Sequence, residues 1–282
     1  MNTRRALFAA LILLTTILAC VVPGLPAASQ PAPTPDTRLE NMVAATVSAA
    51  IAQTEQAVPA PTLAPDSTAT PVPTPSPTPD ADDSGSAINR FEDGTAQFID
   101  MRGGYEFSLP TGWLPIRINS QEYLDAWLMP ELSNPSMQRS LSSIEKLNPD
   151  EIRLFVLDIQ EGHTEIDFVT NISLYWDKPN EMSLADDADL KSAAATLPDM
   201  LPGLEVTATE ISATASGLPI GVITSKTPVT TLEGVNVEMF QKQVFIKVDV
   251  GTMVITLTST EELKQVVLPQ FDAMIETLKV GN

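Results

Sequence analysis

The stretch GYEFSLPTGW, residues 104–113, alternates as a half-buried strand does, with Tyr105, Phe107 and Leu109 on one side and Glu106 and Ser108 on the other. Pro110, Thr111 and Gly112 then supply turn chemistry before Trp113. Everything around this stretch belongs to a chain segment that can own a core. From Asn89 onward the sequence carries all three Trp, all three Tyr and eight of the nine Phe, whereas 13 of the 24 prolines fall between Pro23 and Pro79. A segment so poor in large apolar residues cannot offset the entropy of ordering itself. The globular domain is therefore expected at 89–282.

Reading outward toward the C-terminus, SQEYLDAWLM and NPSMQRSLSSIEKL have helical character, the second opened by Asn134 with Pro135 at its first position. EIRLFVLDI and VTNISLYW read as strands, and MSLADDADLKSAAATL as a helix capped by Ser183. Four strand-like runs follow: EVTATEISATA, PIGVITSK, VNVEMFQKQVFIKV and GTMVITLTS. The end is a helix capped by Ser259 with Glu262, kinked or restarted at Pro269, whose inner face is Phe271, Met274, Ile275 and Leu278. Strands joined by short turns pair antiparallel, and amphipathic helices need a sheet face against which to bury their stripes. The expected class is α+β, an antiparallel β-sheet with helices on both faces.

Several of these segments resemble the PsbP-like family: Gly104 to Pro110 with Gly112-Trp113, the strand entry Phe168-Val169-Thr170-Asn171-Ile172, Gly217-Leu218-Pro219, and the closing helix from Phe271 to Val280. The resemblance spans roughly residues 97 to 280. It implies an α/β/α sandwich, shared by an extrinsic photosystem subunit, a Ran-binding import factor and many small bacterial lipoproteins. Members act chiefly by binding other proteins or assisting assembly, so the implied role is a docking module rather than an enzyme.

The N-terminal side gives an address. Residues 2–19, NTRRALFAALILLTTILA, have two arginines, an apolar run and a small residue, the layout of a secretory signal peptide at 1–19. Ile17-Leu18-Ala19-Cys20 resembles the bacterial lipobox, with Leu18 where a small residue is usual; the resemblance implies cleavage before Cys20 and its lipidation, palmitate being one such group. Cys20 is the sole cysteine, so an exported thiol has no disulfide partner in this chain, and lipidation gives it a use. One acyl chain holds a protein only at ~10⁴ M⁻¹, and two or three make release negligible. The alternative is an uncleaved anchor, which reaches spanning length only if Cys20, Val21 and Val22 are counted. Localisation follows: the cell membrane, lipid-anchored, facing the extracytoplasmic side.

Residues 20–88 read as a disordered Pro/Thr/Ala-rich tether, with polyproline II favoured where prolines alternate from Pro71 to Pro79. Within it, about 37–56 has helical period, opened by Thr37 and Glu40 and striped by Leu39, Met42, Val43, Val47, Ala50 and Ile51. That stripe suits a solvated helix, self-association, or docking onto a partner or the chain's own domain. Asp80, Asp82, Ser84 and Gly85 copy the first half of a calcium loop, but Phe91 stands where a bidentate Glu is required. A solvated linker end accounts for them.

The formal net charge is −20, from 36 acidic and 16 basic residues. Nucleic acid is an unsuitable partner, because binding it rests on neutralising phosphates with Lys and Arg. No nucleophile elbow, P-loop, dinucleotide fingerprint or Cys pair is present, and His163 is the only histidine. The densest chemistry is DIQEGHTEID, residues 158–167, where Asp158, Glu161 and His163 are candidate metal ligands beside Glu165 and Asp167. A solvated loop between two strands explains the same residues. Trp113, Trp127 and Trp176 are candidate binding residues near element ends, and core or edge packing is the plainer explanation of each. No catalytic residue and no cofactor is assigned. The expectation is a non-enzymatic module for an unidentified protein partner; the alternatives are a small-ligand or metal-binding lipoprotein, for example one associated with a transporter, and then a hydrolase through His163.

Overall fold

A computed structural model describes residues 85–164, 168–231 and 234–281. The signal peptide, Cys20, the tether up to residue 84, its 37–56 stripe, and Asp80, Asp82 and Ser84 lie outside the described residues.

Two antiparallel sheets make up the domain. The smaller has the order β1-β2-β3-β11, from Ser86–Arg90, Ala96–Asp100, Tyr105–Leu109 and Lys279–Val280. The larger has the order β4-β5-β6-β10-β9-β8-β7. Its strands are β4 (Trp113–Ile116), β5 (Ile152–Asp158), β6 (Asn171–Asp177), β7 (Glu205–Ala213), β8 (Pro219–Thr230), β9 (Asn236–Lys247) and β10 (Thr252–Thr260). The meander β7 to β10 brings β10 back beside β6, so that Ile255 lies between Leu174 and Val244. All nine residues of β10 and all seven of β5 and of β6 are buried, because both faces of this sheet are covered.

Helices α1 (Gln121–Ala126), α2 (Pro135–Ile144) and α3 (Ala188–Met200) cover one face. There Leu141, Ile144, Leu190 and Leu197 join Phe155, Tyr175, Phe245 and Val254 of the sheet in one apolar cluster. Helix α4 (Lys264–Glu276) and the small sheet cover the other face, where Phe98, Phe107, Phe271 and Ile275 meet Leu154, Ile172, Val244 and Ile255. The α+β class with helices on both faces is thus as expected, with one addition. Tyr105–Leu109 belongs to a separate small sheet rather than to the central one.

Three local expectations give way to the structure. Helix α3 starts at Ala188 after Asp187, and Ser183 instead donates its backbone N–H to Asp189 Oδ2 at 3.0 Å. Ser259 is the penultimate residue of β10, and α4 follows Leu263, whose N–H reaches Thr260 Oγ1 at 3.3 Å. Pro269 sits inside α4 without ending it. The Asn134 cap is present, with its Oδ1 accepting from Met137 N at 2.9 Å and Pro135 opening α2. Strand β1 begins at Ser86, within the stretch read as tether, and exposed Phe91 follows it into the turn to β2.

The two sheets are tied by one buried ion pair. The pairing of β5 with β6 shifts register between Ile152 and Leu154, a bulge that inserts Arg153 as an extra residue. Its Nε donates to Asp100 Oδ2, at the end of β2, at 2.6 Å. The two side chains are 1% and 0% exposed. Asp100 also accepts from Tyr105 Oη at 3.1 Å and from the N–H groups of Arg102 and Gly103 at 3.0 and 2.9 Å. Burial by itself lowers the Arg153 pKa, yet the hydrogen bond and charge of Asp100 hold it above its ordinary value. Tyr105 is pushed well above the usual phenol range, first by burial and then by Asp100.

Replacing one member strands the other as an uncompensated buried charge. Asp100→Ala is expected to cost about 3–5 kcal/mol, read as a drop in the urea midpoint.

Candidate functional site

The sequence-predicted residues Asp158, His163 and Trp113 come together at the end of β5. Trp113 and Asp158 are register partners across β4 and β5. The loop after Asp158 folds back because Gln160 N donates to Asp158 Oδ1 at 3.0 Å and His163 N reaches Gln160 O at 3.2 Å. This return places His163 Nδ1 2.6 Å from Asp158 Oδ2. The carboxylate is almost fully buried and the imidazole nearly so. A carboxylate accepts, so Nδ1 carries the proton of this contact.

The chain of hydrogen bonds continues away from His163. Gln160 Nε2 donates to Asp158 Oδ1 at 3.0 Å and to Gln270 Oε1 of α4 at 3.2 Å. Gln270 Oε1 accepts in turn from Trp113 Nε1 at 2.5 Å. Gly112 allows this approach: its φ is +86°, and a Cβ there would sit 2.5 Å from Gln160 Cγ. The network therefore runs from β4 through the 159–164 loop to α4. Its chemical capacity is to orient one imidazole against a buried carboxylate and to lock the loop onto the sheet.

Glu161 is exposed on that loop and adds no ligand to the pair; residues 165–167 lie outside the described residues. Among the described residues no group of three or more His, Cys, Asp or Glu side chains is placed to hold a metal ion. Gln160 and Gln270 were not singled out by sequence reasoning. The only sequence signal for Gln160 is its position two residues after Asp158, and nothing local marks Gln270.

The three tryptophans separate. Trp113 is buried among the α4-side core residues. Trp176 is buried too, with Nε1 donating to Val250 O at 2.7 Å. Lys178 Nζ lies 4.4 Å from the Trp176 ring centre and Arg153 Cζ 5.8 Å, so two cations flank one indole. Trp127 is half-buried, packed edge-on against Tyr123 at 6.2 Å. Beside it, Leu124 is 58% and Leu128 83% exposed, so the end of α1 presents a small apolar surface.

Asp177, next to Trp176, has its pKa raised to about 6, chiefly by burial, although Asn180 Nδ2 lies within 3.0 Å of both carboxylate oxygens and lowers it. An acid whose pKa is raised on folding binds its proton more tightly in the native state, so its effect on stability declines as pH rises from about 3.8 to about 6.

No protein-family model matches the sequence, and no curated protein matches it. Solved structures do. The domain is similar to the solution structure of a cyanobacterial PsbP from Synechocystis sp. PCC 6803, at 16% identity and a TM-score of 0.42, over 67% of this chain and 94% of that one. A PsbP is thus among the matches. The Mycobacterium tuberculosis protein LpqN, described as involved in cell envelope biogenesis, matches at 11% identity and a TM-score of 0.37, over 70% and 91%. PA94 of Pseudomonas aeruginosa, a protein of unknown function, matches at 13% identity and 0.31, over 70% and 98%.

Two outcomes are expected. Asp158→Asn loosens the loop, read as faster amide exchange at His163 with the β10 amides unchanged. Asp177→Asn gains stability relative to the parent as pH rises between about 3.8 and about 6, and the difference is constant above that range; parallel urea midpoints across a pH series measure it.

Proposed function

We propose that the chain is a lipid-anchored extracytoplasmic protein whose domain binds another protein or supports an assembly at the membrane surface, without catalysing a reaction. The observation that carries the binding role is the apolar surface of Leu124, Trp127 and Leu128. Leu128 keeps most of its side chain in water. Exposed aliphatic side chains grouped beside a half-buried tryptophan suit an interface centre.

Anchoring is supported by the lipobox-like Ile17 to Cys20 and by the absence of any second cysteine. The Asp158–His163 pair fits the same reading. The ring is held by a carboxylate that also fixes Gln160, so the residues with most chemistry are spent on locking a loop.

A photo-crosslinking residue in place of Leu128, in the full chain in its native membrane, tests the binding role. A discrete adduct that disappears on Leu124→Asp is expected, and a folded, anchored chain giving no adduct overturns it. Mass spectrometry of the same material is expected to show an N-terminal Cys20 carrying acyl groups; a bare thiol or an intact leader overturns the anchor.

A further inference from the structure

We infer that β7 is a docking edge at which an extended, cationic segment of a partner protein adds as an eighth strand to the large sheet. This rests on the protein-binding role proposed above and names the mode and chemistry of one contact.

The edges of the two sheets are unequal. At the far end of the large sheet, β4 has four residues, all buried, includes Pro115, and has the Pro115 carbonyl engaged by Arg90 Nη2 at 3.1 Å. In the small sheet β1 has five residues and β11 two. Strand β7 has nine residues, EVTATEISA, none buried, and among the described residues it pairs only with β8. It carries neither Lys nor Pro, the residues that commonly blunt an edge. Past a bulge between Val206 and Ala208, its backbone donors and acceptors on the outer side from Ala208 to Ala213 are a template for another strand.

Both faces beside this edge are grooved. On the α3 side a groove of ≈ 470 Å³ is lined by Ala194, Pro198, Leu204 and Val206 together with the charged Lys191 and Glu205. On the α4 side one of ≈ 180 Å³ has an apolar part that includes Ile220 and Val244, and its charged residues are Glu210, Asp272 and Glu276 with a single cation, Lys242. That lysine is already held by Asp272 at 2.6 Å. Alternate side chains of an added strand point to opposite faces. The occupant that fits therefore alternates apolar residues, entering the α3 groove, with Lys or Arg, facing Glu210 and Glu276. A second copy of this chain is the wrong charge, since β7 brings Glu205 and Glu210 and the whole chain carries −20.

The probe is a synthetic peptide of alternating valine and lysine, matched in length to β7, titrated into the full chain. Binding with slowed amide exchange along β7 is expected, together with loss of binding when the peptide backbone is N-methylated or glutamate replaces lysine. Glu210→Lys, an exposed position, is expected to weaken binding about tenfold. The inference is overturned by unchanged β7 exchange at saturating peptide, by equal affinity for the Glu210→Lys chain, or by a dimer that covers β7. Such a failure with the Leu128 adduct intact removes only the edge strand, and loss of that adduct with peptide binding retained leaves β7 as the docking surface.

Discussion

Asp100 and Arg153 are the point at which the two sheets become one domain. Each charge is removed from water, and each meets the other across the two sheets. Their pairing selects one placement of β2 over β5, because a shift of either strand leaves a charge unpaired in the core, whereas apolar side chains tolerate several packings. The bulge in β5 is what makes the placement available. Ile152 packs on the α1–α3 side and Leu154 on the α4 side, and the inserted Arg153 between them reaches across to Asp100. Trp176 of the neighbouring strand then lies beside the guanidinium, so the cation is shielded by an indole face as well as paired.

A second polar chain does comparable work at the other end of β5. Asp158 closes that strand much as Asp100 closes β2, and each accepts from backbone N–H groups of the turn that follows it. Here the partners are an imidazole and the Gln160 side-chain amide rather than a guanidinium. The cost of burying the carboxylate is offset by several donors converging on it. Strand β5 is therefore held at both ends by polar groups, with Leu154, Phe155, Val156 and Leu157 buried between them.

The legible part of this architecture was the part written in local pattern. Tyr105, Phe107 and Leu109 alternate, Asn134 precedes Pro135, and the strands from Glu205 to Thr260 repeat with turns between them, so element type and the antiparallel class could be read. The small sheet was less visible because its strands are short and β1 abuts an acidic, proline-rich segment, although Ala96, Phe98 and Asp100 do alternate. Ser183 and Ser259 misled for one physical reason: a hydroxyl that suits a helix cap also suits a bend or a strand. Ser259 pairs with Thr170 Oγ1 at 3.1 Å inside the core. In the candidate site, Asp158 and His163 are five residues apart and could be grouped by eye. Gln270 joins Trp113 across 157 residues, a contact set by the packing of α4.

These restraints leave the domain unequal along the sheet. The β4 end is crossed by Arg90, which donates to Pro115 O, and by Arg117, whose Nη1 donates to Ser86 O at 2.6 Å, so β1 is fastened beside β4. At the β7 end the ion pairs lie at the surface, Lys226 with Glu205 and Glu238 at 3.6 and 3.4 Å, where solvent screens them and they add little. Burial falls in the same direction, from the four fully buried residues of β4 to none in β7. A strand with little of its surface buried contributes little to folding and gives up little when its outer edge is paired, so the open end can accept an added strand without disturbing the polar contacts that join the two sheets.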